Sequence, residues 1–244
     1  MPLHPILIKT GLYKPFLPVA TLFNKLYLYL DFLKWMDKQR SLKIFNDYYE
    51  SKSRYTRRFE LHDYIIENHA SPSLPIDYFE FGVAQGEMIS HWSNRNVNSA
   101  SRFFGFDSFT GLPESWEDKA QGHFNTRGEL PQINDSRVSF IKGWFQDTVS
   151  PFFKSLDIAD RQAIYHLDAD LFSSTLYVLF QIQPLIKSGD ILIFDEFSSY
   201  KDEYLAFKIF EKTMGKHFDS KLIGAINNYR QVAIQITNEV QAQN

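Results

Sequence analysis

The sequence predicts an α/β fold: a doubly wound, mostly parallel sheet closed by an antiparallel terminal hairpin and preceded by a helical extension. Three observations carry this expectation. Strand-like runs alternate with helical patterns from residue 76 onward, which calls for right-handed crossovers and parallel pairing. Several of those runs end in Gly or Asp, as strands do where they meet a turn. The last two runs, 221–226 and 231–236, are joined by only Asn227-Asn228-Tyr229-Arg230, too few residues for a crossover helix, so they must be antiparallel neighbours.

Residues 18–36 read as a helix with Val19, Leu22, Phe23, Leu26, Leu30 and Leu33 on one stripe, widened by Leu28, Phe32 and Trp35. A helix so broadly apolar packs on the body or forms a subunit interface, and a homodimer is expected from it. A second reading notes Lys9, Lys14, Lys25 and Lys34 beside Tyr27, Tyr29 and Trp35, a mixture suited to peripheral contact with an anionic membrane. Helical periodicity continues through 42–69, where Arg54, Arg57 and Arg58 form either a solvated face or a grip for a carboxylate or phosphate. The Pro- and Ser-rich stretch 70–75 then marks a boundary. The chain is thus expected to divide into a helical extension or cap, 1–70, and a main domain, 71–240.

The main domain is organised around residues 76–86, IDYFEFGVAQG, a buried strand running into a glycine turn. Gly82 and Gly86 lack the Cβ that would hold a ligand off the backbone. Their G-x-x-x-G spacing is not the G-x-G-x-x-G of a dinucleotide site, which disfavours a nicotinamide-dependent oxidoreductase. Further strands are expected at 102–107, at 137–142 leading into Gly143-Trp144, at 162–168 and at 190–195, with a helix over 174–186. The connection 110–136 holds too many Gly and Pro residues for one helix, and so long a loop in a compact domain is expected to be a lid.

Ligands of an open parallel sheet bind beyond the carboxyl ends of its strands, where this chain places Glu80, Asp107, Asp168 with Asp170, and Asp195 with Glu196. Asp107 follows Gly86 at a spacing that suits a carboxylate on ribose hydroxyls. Asp168, Asp195 and Glu196 offer the hard oxygens that Mg²⁺ prefers. Asp168 or Asp170 is a candidate general base, and His166, facing the same side as Asp168 by alternation, is a further one. His91, His123 and His217 show no ligand spacing.

Composition narrows the field. With 44% hydrophobic and 16% aromatic residues in 244, the chain can bury a sizeable core. It has no cysteine, which excludes disulfides, thiolate metal sites and cysteine nucleophiles and fits a reducing, cytoplasmic setting. Residues 1–70 carry 11 Lys+Arg against 7 Asp+Glu and the remainder 15 against 22, so the acidic main domain argues against a nucleic-acid partner. Residues 1–11 lack the continuous apolar core of a signal peptide, and no run is long enough to span a bilayer. There is no G-x-S-x-G elbow of a serine hydrolase.

Five segments in order, YFEFGVAQGE (78–87), GFDSFTGLPES (105–115), VSFIKGWFQDT (138–148), HLDADLFSST (166–175) and SGDILIFDEF (188–197), resemble the class I, Rossmann-like S-adenosylmethionine-dependent methyltransferases, and within them the macrocin O-methyltransferase family. The resemblance implies a seven-stranded sheet with an antiparallel last strand. It implies that Glu80, Gly82 and Gly86 line the methionine part of the donor, Asp107 with Ser108 holds its ribose, Gly143 and Trp144 lie by its adenine, and Asp168 adjoins it. It further implies an often Mg²⁺-assisted transfer to a hydroxyl of a sugar or small natural product, with Asp168, Asp195 and Glu196 as the metal positions. The chain departs from the family in having Asp195-Glu196 for two adjacent aspartates and Ala84-Gln85 for Trp-Arg. The alternative is a donor-binding module without catalysis.

Overall fold

The computed structural model describes residues 3–52, 54–70, 73–157, 161–215 and 218–239; His217 lies outside them. The chain divides into two compact units, Met1–Arg40 and Ser41–Asn244, so residues 41–70, read above with the extension, lie in the second unit.

The first unit holds two helices, α1 (His4–Thr10) and α2 (Leu17–Gln39). Gly11, at φ 67°, returns its N–H to the Leu7 carbonyl and ends α1 in the left-handed cap that glycine adopts without strain. Pro18 then sits in the first turn of α2, where no amide hydrogen is needed.

The second unit is an eight-stranded sheet with helices between its strands. The strands are β1 (Phe45–Asn46), β2 (Ile76–Phe81), β3 (Arg102–Asp107), β4 (Val138–Lys142), β5 (Gln162–Leu167), β6 (Ile191–Phe194), β7 (Phe218–Ile226) and β8 (Gln231–Glu239). Their order is β1-β7-β8-β6-β5-β2-β3-β4, parallel throughout except for the two pairs that β8 makes. The helices are α3 (Arg58–Asn68), α4 (Glu87–Arg95), α5 (Phe145–Ser155), α6 (Phe172–Ile182) and α7 (Glu203–Met214). The order reverses between β2 and β5, which opens a crevice at the carboxyl ends of those two strands.

The expected strands are all present, and an eighth, β1, joins them where helical periodicity had been read. Tertiary partners override that periodicity. Asp47 accepts hydrogen bonds from the amides of Asn227 (2.8 Å) and Asn228 (3.2 Å), and Asn46 donates from Nδ2 to the Tyr229 hydroxyl at 2.9 Å. These bonds satisfy the largely buried turn of the β7–β8 hairpin, whose Asn227, Asn228 and Tyr229 all have positive φ. Asp47→Ala should therefore cost about 1–3 kcal/mol of stability, read as a lowered denaturant midpoint, because two amides lose their acceptor.

Both faces of β2 are buried, which is why it reads as a continuous apolar run. On one face Phe79 stacks between Phe104 (5.4 Å) and Tyr165 (5.3 Å) and meets Phe153 of α5. On the other, Tyr78 stacks on Trp92 of α4 at 4.9 Å. Each such aromatic contributes roughly 1.5–3 kcal/mol by burial. Together they fix the central strands, and hence the positions of the groups at their ends.

Candidate active site

A cavity of about 640 Å³ opens at the carboxyl edge of the sheet. Glu80 and Gly82 from the end of β2, Asp107 and Ser108 after β3, Gly143 and Trp144 after β4, Asp168 and Asp170 after β5, and Glu196 after β6 all line it. One wall is the loop 110–136, which contributes Trp116, Lys119 and Phe124. Trp116 anchors that loop by donating from Nε1 to Asp202 Oδ2 at 3.1 Å. Three further residues face the cavity that no spacing in the sequence singled out for it: Tyr55, just before α3, Arg58 in α3, and Arg230 in the terminal hairpin turn.

The glycine turn is built by close approach. Gly82 has φ 100°, and a Cβ there would stand 1.8 Å from the Asp168 carbonyl oxygen. Gly86 has a different job from the one expected: it is absent from the cavity wall, caps α4 at φ 78°, and leaves room for Pro131 of the loop. Asp107 reaches the cavity, but its oxygens first secure the turn, Oδ2 accepting from the amides of Val83 (2.9 Å) and Ala84 (2.8 Å) and Oδ1 from Phe109 (2.6 Å). A lone pair remains on Oδ1 for a ligand hydroxyl.

His166 does not line the cavity. It is fully buried on β5, level with Glu80 on β2 and Ile193 on β6. Tyr78 donates its hydroxyl hydrogen to Glu80 at 2.9 Å, so the tyrosine oxygen accepts from His166 Nδ1 at 3.0 Å. Burial works to lower this histidine, yet the carboxylates of Asp195 and Glu80, each 3.9 Å from a ring nitrogen, outweigh it and push it up to about 9. Asp195 is held down to about 2 against its own burial by His166 and Arg58. His166 thus lies between two carboxylates and away from the cavity wall, which does not place it where a base would meet a substrate.

The basic cluster separates in three dimensions. Arg57 faces outward to Asp47, Glu50 and Glu60. Arg58 turns inward, with Nη2 3.0 Å from Glu87 and Nη1 3.5 Å from both Asp168 and Asp195. Nη1 also donates to the Tyr55 hydroxyl, which in turn donates to Asp195 Oδ2 at 2.6 Å. On the far side, Arg230 forks onto Glu196 with bonds of 2.6 and 2.7 Å.

This arrangement does not fit the metal site expected of Asp168, Asp195 and Glu196. Both oxygens of Glu196 are held by Arg230, Oδ2 of Asp195 by Tyr55, and a guanidinium stands beside Asp168 and Asp195. Among the described residues, the ligand-type atoms that do converge, within 4.8 Å, are those of His62, His166 and Asp195. That trio does not fit a metal either. The Trp92 indole donates to His62 Nδ1 at 2.8 Å, and burial keeps the ring neutral, so its proton sits on Nε2, the atom that would have to coordinate.

The remaining acids differ in availability. Asp168 is raised well above the usual carboxylate range by burial and by Asp195. Burial also pushes Glu196 up to about 7 in spite of Arg230. Asp170 stands at the cavity wall with φ 57° and, among the described residues, no hydrogen bond or ion pair on its carboxylate. Burial, then the charges of Glu196 and Asp195, pushes it up to about 8.

The family model for macrocin O-methyltransferases (TylF) matches residues 54–229. The chain is 25% identical over 169 residues to an 8-demethyl-8-(2,3-dimethoxy-alpha-L-rhamnosyl)-tetracenomycin-C 4'-O-methyltransferase of Streptomyces olivaceus, covering 58% of this chain and 60% of that one. It is 26% identical over 157 residues to the mycinamicin III 3''-O-methyltransferase of Micromonospora griseorubida, covering 54% and 59%. The chain thus spans about 60% of the length of these curated relatives. Among solved structures, the O-methyltransferase NovP superposes with a TM-score of 0.55 at 20% identity, over 76% of this chain and 80% of that one. The calicheamicin methyltransferase CalS11 gives 0.53 at 21%, over 74% and 77%. At that identity these two likenesses establish the fold.

Proposed function

Because the chain belongs to the macrocin O-methyltransferase family, we propose that it transfers a methyl group from S-adenosylmethionine to a hydroxyl of a sugar or sugar-bearing natural product. The observation that carries this is a single cavity lined both by the glycine turn, with Glu80 and Trp144, and by Asp170, with Trp116 and Lys119. Two of the relatives that match are named as methyltransferases of a rhamnosyl-tetracenomycin and of mycinamicin III.

S-adenosylmethionine supplies an electrophilic methyl carbon on a sulfonium. Its fit rests on the cradle at Gly82, on buried Glu80 as partner for an ammonium group, and on the half-exposed Trp144 as a face for a purine ring. Trp116, Phe124 and Lys119 of the same lining put aromatic and charged side chains together, which suits a hydroxyl-rich ring. Asp170 takes the acceptor's proton as the O–CH₃ bond forms and the S–CH₃ bond breaks, leaving S-adenosylhomocysteine. Positioning supplies most of the rate, and no step passes through a metal. Calorimetric titration with S-adenosylhomocysteine tests the donor end, and a labelled-methyl screen over glycosylated natural products tests transfer. Absence of donor binding would overturn the reading, and binding without transfer to any hydroxyl would favour a non-catalytic module.

The first unit carries a proposal of its own: peripheral contact with an anionic lipid surface. Residues 1–40 hold 6 Lys+Arg against 2 Asp+Glu. Phe16, Leu22 and Phe23 are 68%, 67% and 65% exposed. No single described helix is long and apolar enough to cross a membrane. Apolar side chains among lysines favour the interface of a negatively charged bilayer. The full chain should sediment with phosphatidylserine vesicles, and Leu22→Glu with Phe23→Glu should reduce the bound fraction to that seen with neutral vesicles. Equal pelleting of both proteins would end the idea. A concentration-dependent mass in sedimentation velocity, abolished by the same substitutions, would assign the surface to a homodimer instead.

A further inference from the structure

We infer that Arg58 and Arg230 supply the positive charge that the acidic end of this cavity requires, and that the protein works without a divalent cation there. The inference rests on the methyl-transfer reading for its functional half only. Its structural half stands on the contacts of Asp168, Asp195 and Glu196.

Carboxylates this close repel one another unless a cation or hydrogen-bond donors compensate. In an oxygen site for Mg²⁺, at least some carboxylate oxygens must be free to approach one point at about 2.1 Å. Here four of the six oxygens accept from side-chain donors. Glu196 gives both to the Arg230 fork, the bidentate geometry in which arginine outperforms a point charge. Asp195 gives Oδ2 to Tyr55, while its Oδ1 lies buried on the side of His166, 3.9 Å from Nε2. Arg58 Nη1 lies between Asp168 and Asp195, 3.5 Å from each. A dication placed between those two aspartates would meet that guanidinium at close range.

Arg58 is also built in. Its side chain is 9% exposed, its second nitrogen is tied to Glu87 in the first turn of α4, and its plane lies over the Tyr55 ring at 4.3 Å. Arg230 reaches the same ring from 5.2 Å. Tyr55 therefore lies within reach of both cations and carries the Arg58 contact through its hydroxyl to Asp195. Arg58 and Arg230 are on this account positioning residues: they fix Asp168, Asp195 and Glu196 and leave Asp170 as the carboxylate free to face a substrate.

Two measurements on the 244-residue chain decide the matter. In the first, Mn²⁺ is titrated and the free ion followed by electron paramagnetic resonance. Wild type should show no saturable binding at millimolar Mn²⁺. The double variant Arg58→Gln with Arg230→Gln, its fold checked by circular dichroism, should gain a site at least about tenfold tighter, lost again on adding Asp168→Asn, because the freed oxygens can now converge. A saturable wild-type site weakened by Asp195→Asn would overturn the inference, whether or not the double variant folds. In the second, methyl transfer should keep its rate in excess chelator. Loss of turnover that Mg²⁺ restores would likewise overturn it. Failure of every acceptor would count against the methyl-transfer reading and leave the Mn²⁺ result to decide the inference alone.

Discussion

Replacing Asp170 by asparagine should lower kcat by about a hundred- to ten-thousand-fold while leaving the affinity for S-adenosylhomocysteine almost unchanged. The loss follows from what surrounds the other acids. Glu196 is clasped by Arg230, Asp195 by Tyr55, and Asp168 stands beside Arg58, so none presents a carboxylate as unencumbered as that of Asp170. Asparagine keeps the shape and tolerates a positive φ, so the backbone at 57° should survive the exchange. The pH profile gives a second readout. A base must be deprotonated to act, and burial together with the Glu196 and Asp195 charges pushes Asp170 up to about 8. Wild-type kcat should therefore rise with pH through that region and level off above it. The asparagine variant should lose the rise. An unchanged profile would move the proton transfer to another group.

Gly82→Ala should abolish donor binding, and it should destabilise the fold by about 3 kcal/mol or more. The added methyl would stand 1.8 Å from the Asp168 carbonyl oxygen, a distance no relaxation of one side chain can relieve, because the obstacle is backbone. The φ of 100° adds strain of its own. Gly189→Ala is the control: φ is similar at 94°, but nothing lies within 4 Å of the new atom. Its cost should be confined to about 1 kcal/mol of backbone strain, with donor affinity intact. Thermal melts and calorimetry on the two variants separate crowding from conformation. Equal behaviour would mean that the contact between the turn and the end of β5 does not shape the site.

Much of the cavity lining was legible in the sequence. Glu80, Gly82, Asp107, Ser108, Gly143, Trp144, Asp168, Asp170 and Glu196 all line one cavity, because strand ends in a parallel sheet lie side by side on one edge. The lid expected of residues 110–136 does supply part of the wall. Tyr55 and Arg230 were not legible there. They lie 175 residues apart in the chain, in a turn and a hairpin, and no local pattern relates them. Arg58 stood in a visible cluster, but nothing in the order Arg54, Arg57, Arg58 says which of the three turns inward.

What the sequence by itself determined is the succession of strands and helices and the chemistry waiting at each strand end. Periodicity and turn residues are local properties, and a parallel sheet converts local strand ends into a common edge without further information. What the tertiary structure alone decided is how those acids are compensated. Whether a carboxylate faces a guanidinium, a hydroxyl, a buried imidazole or an open cavity depends on residues that meet only after α3 and the terminal hairpin have docked, and for groups out of contact with water that partner, more than the carboxylate itself, fixes its charge and its use.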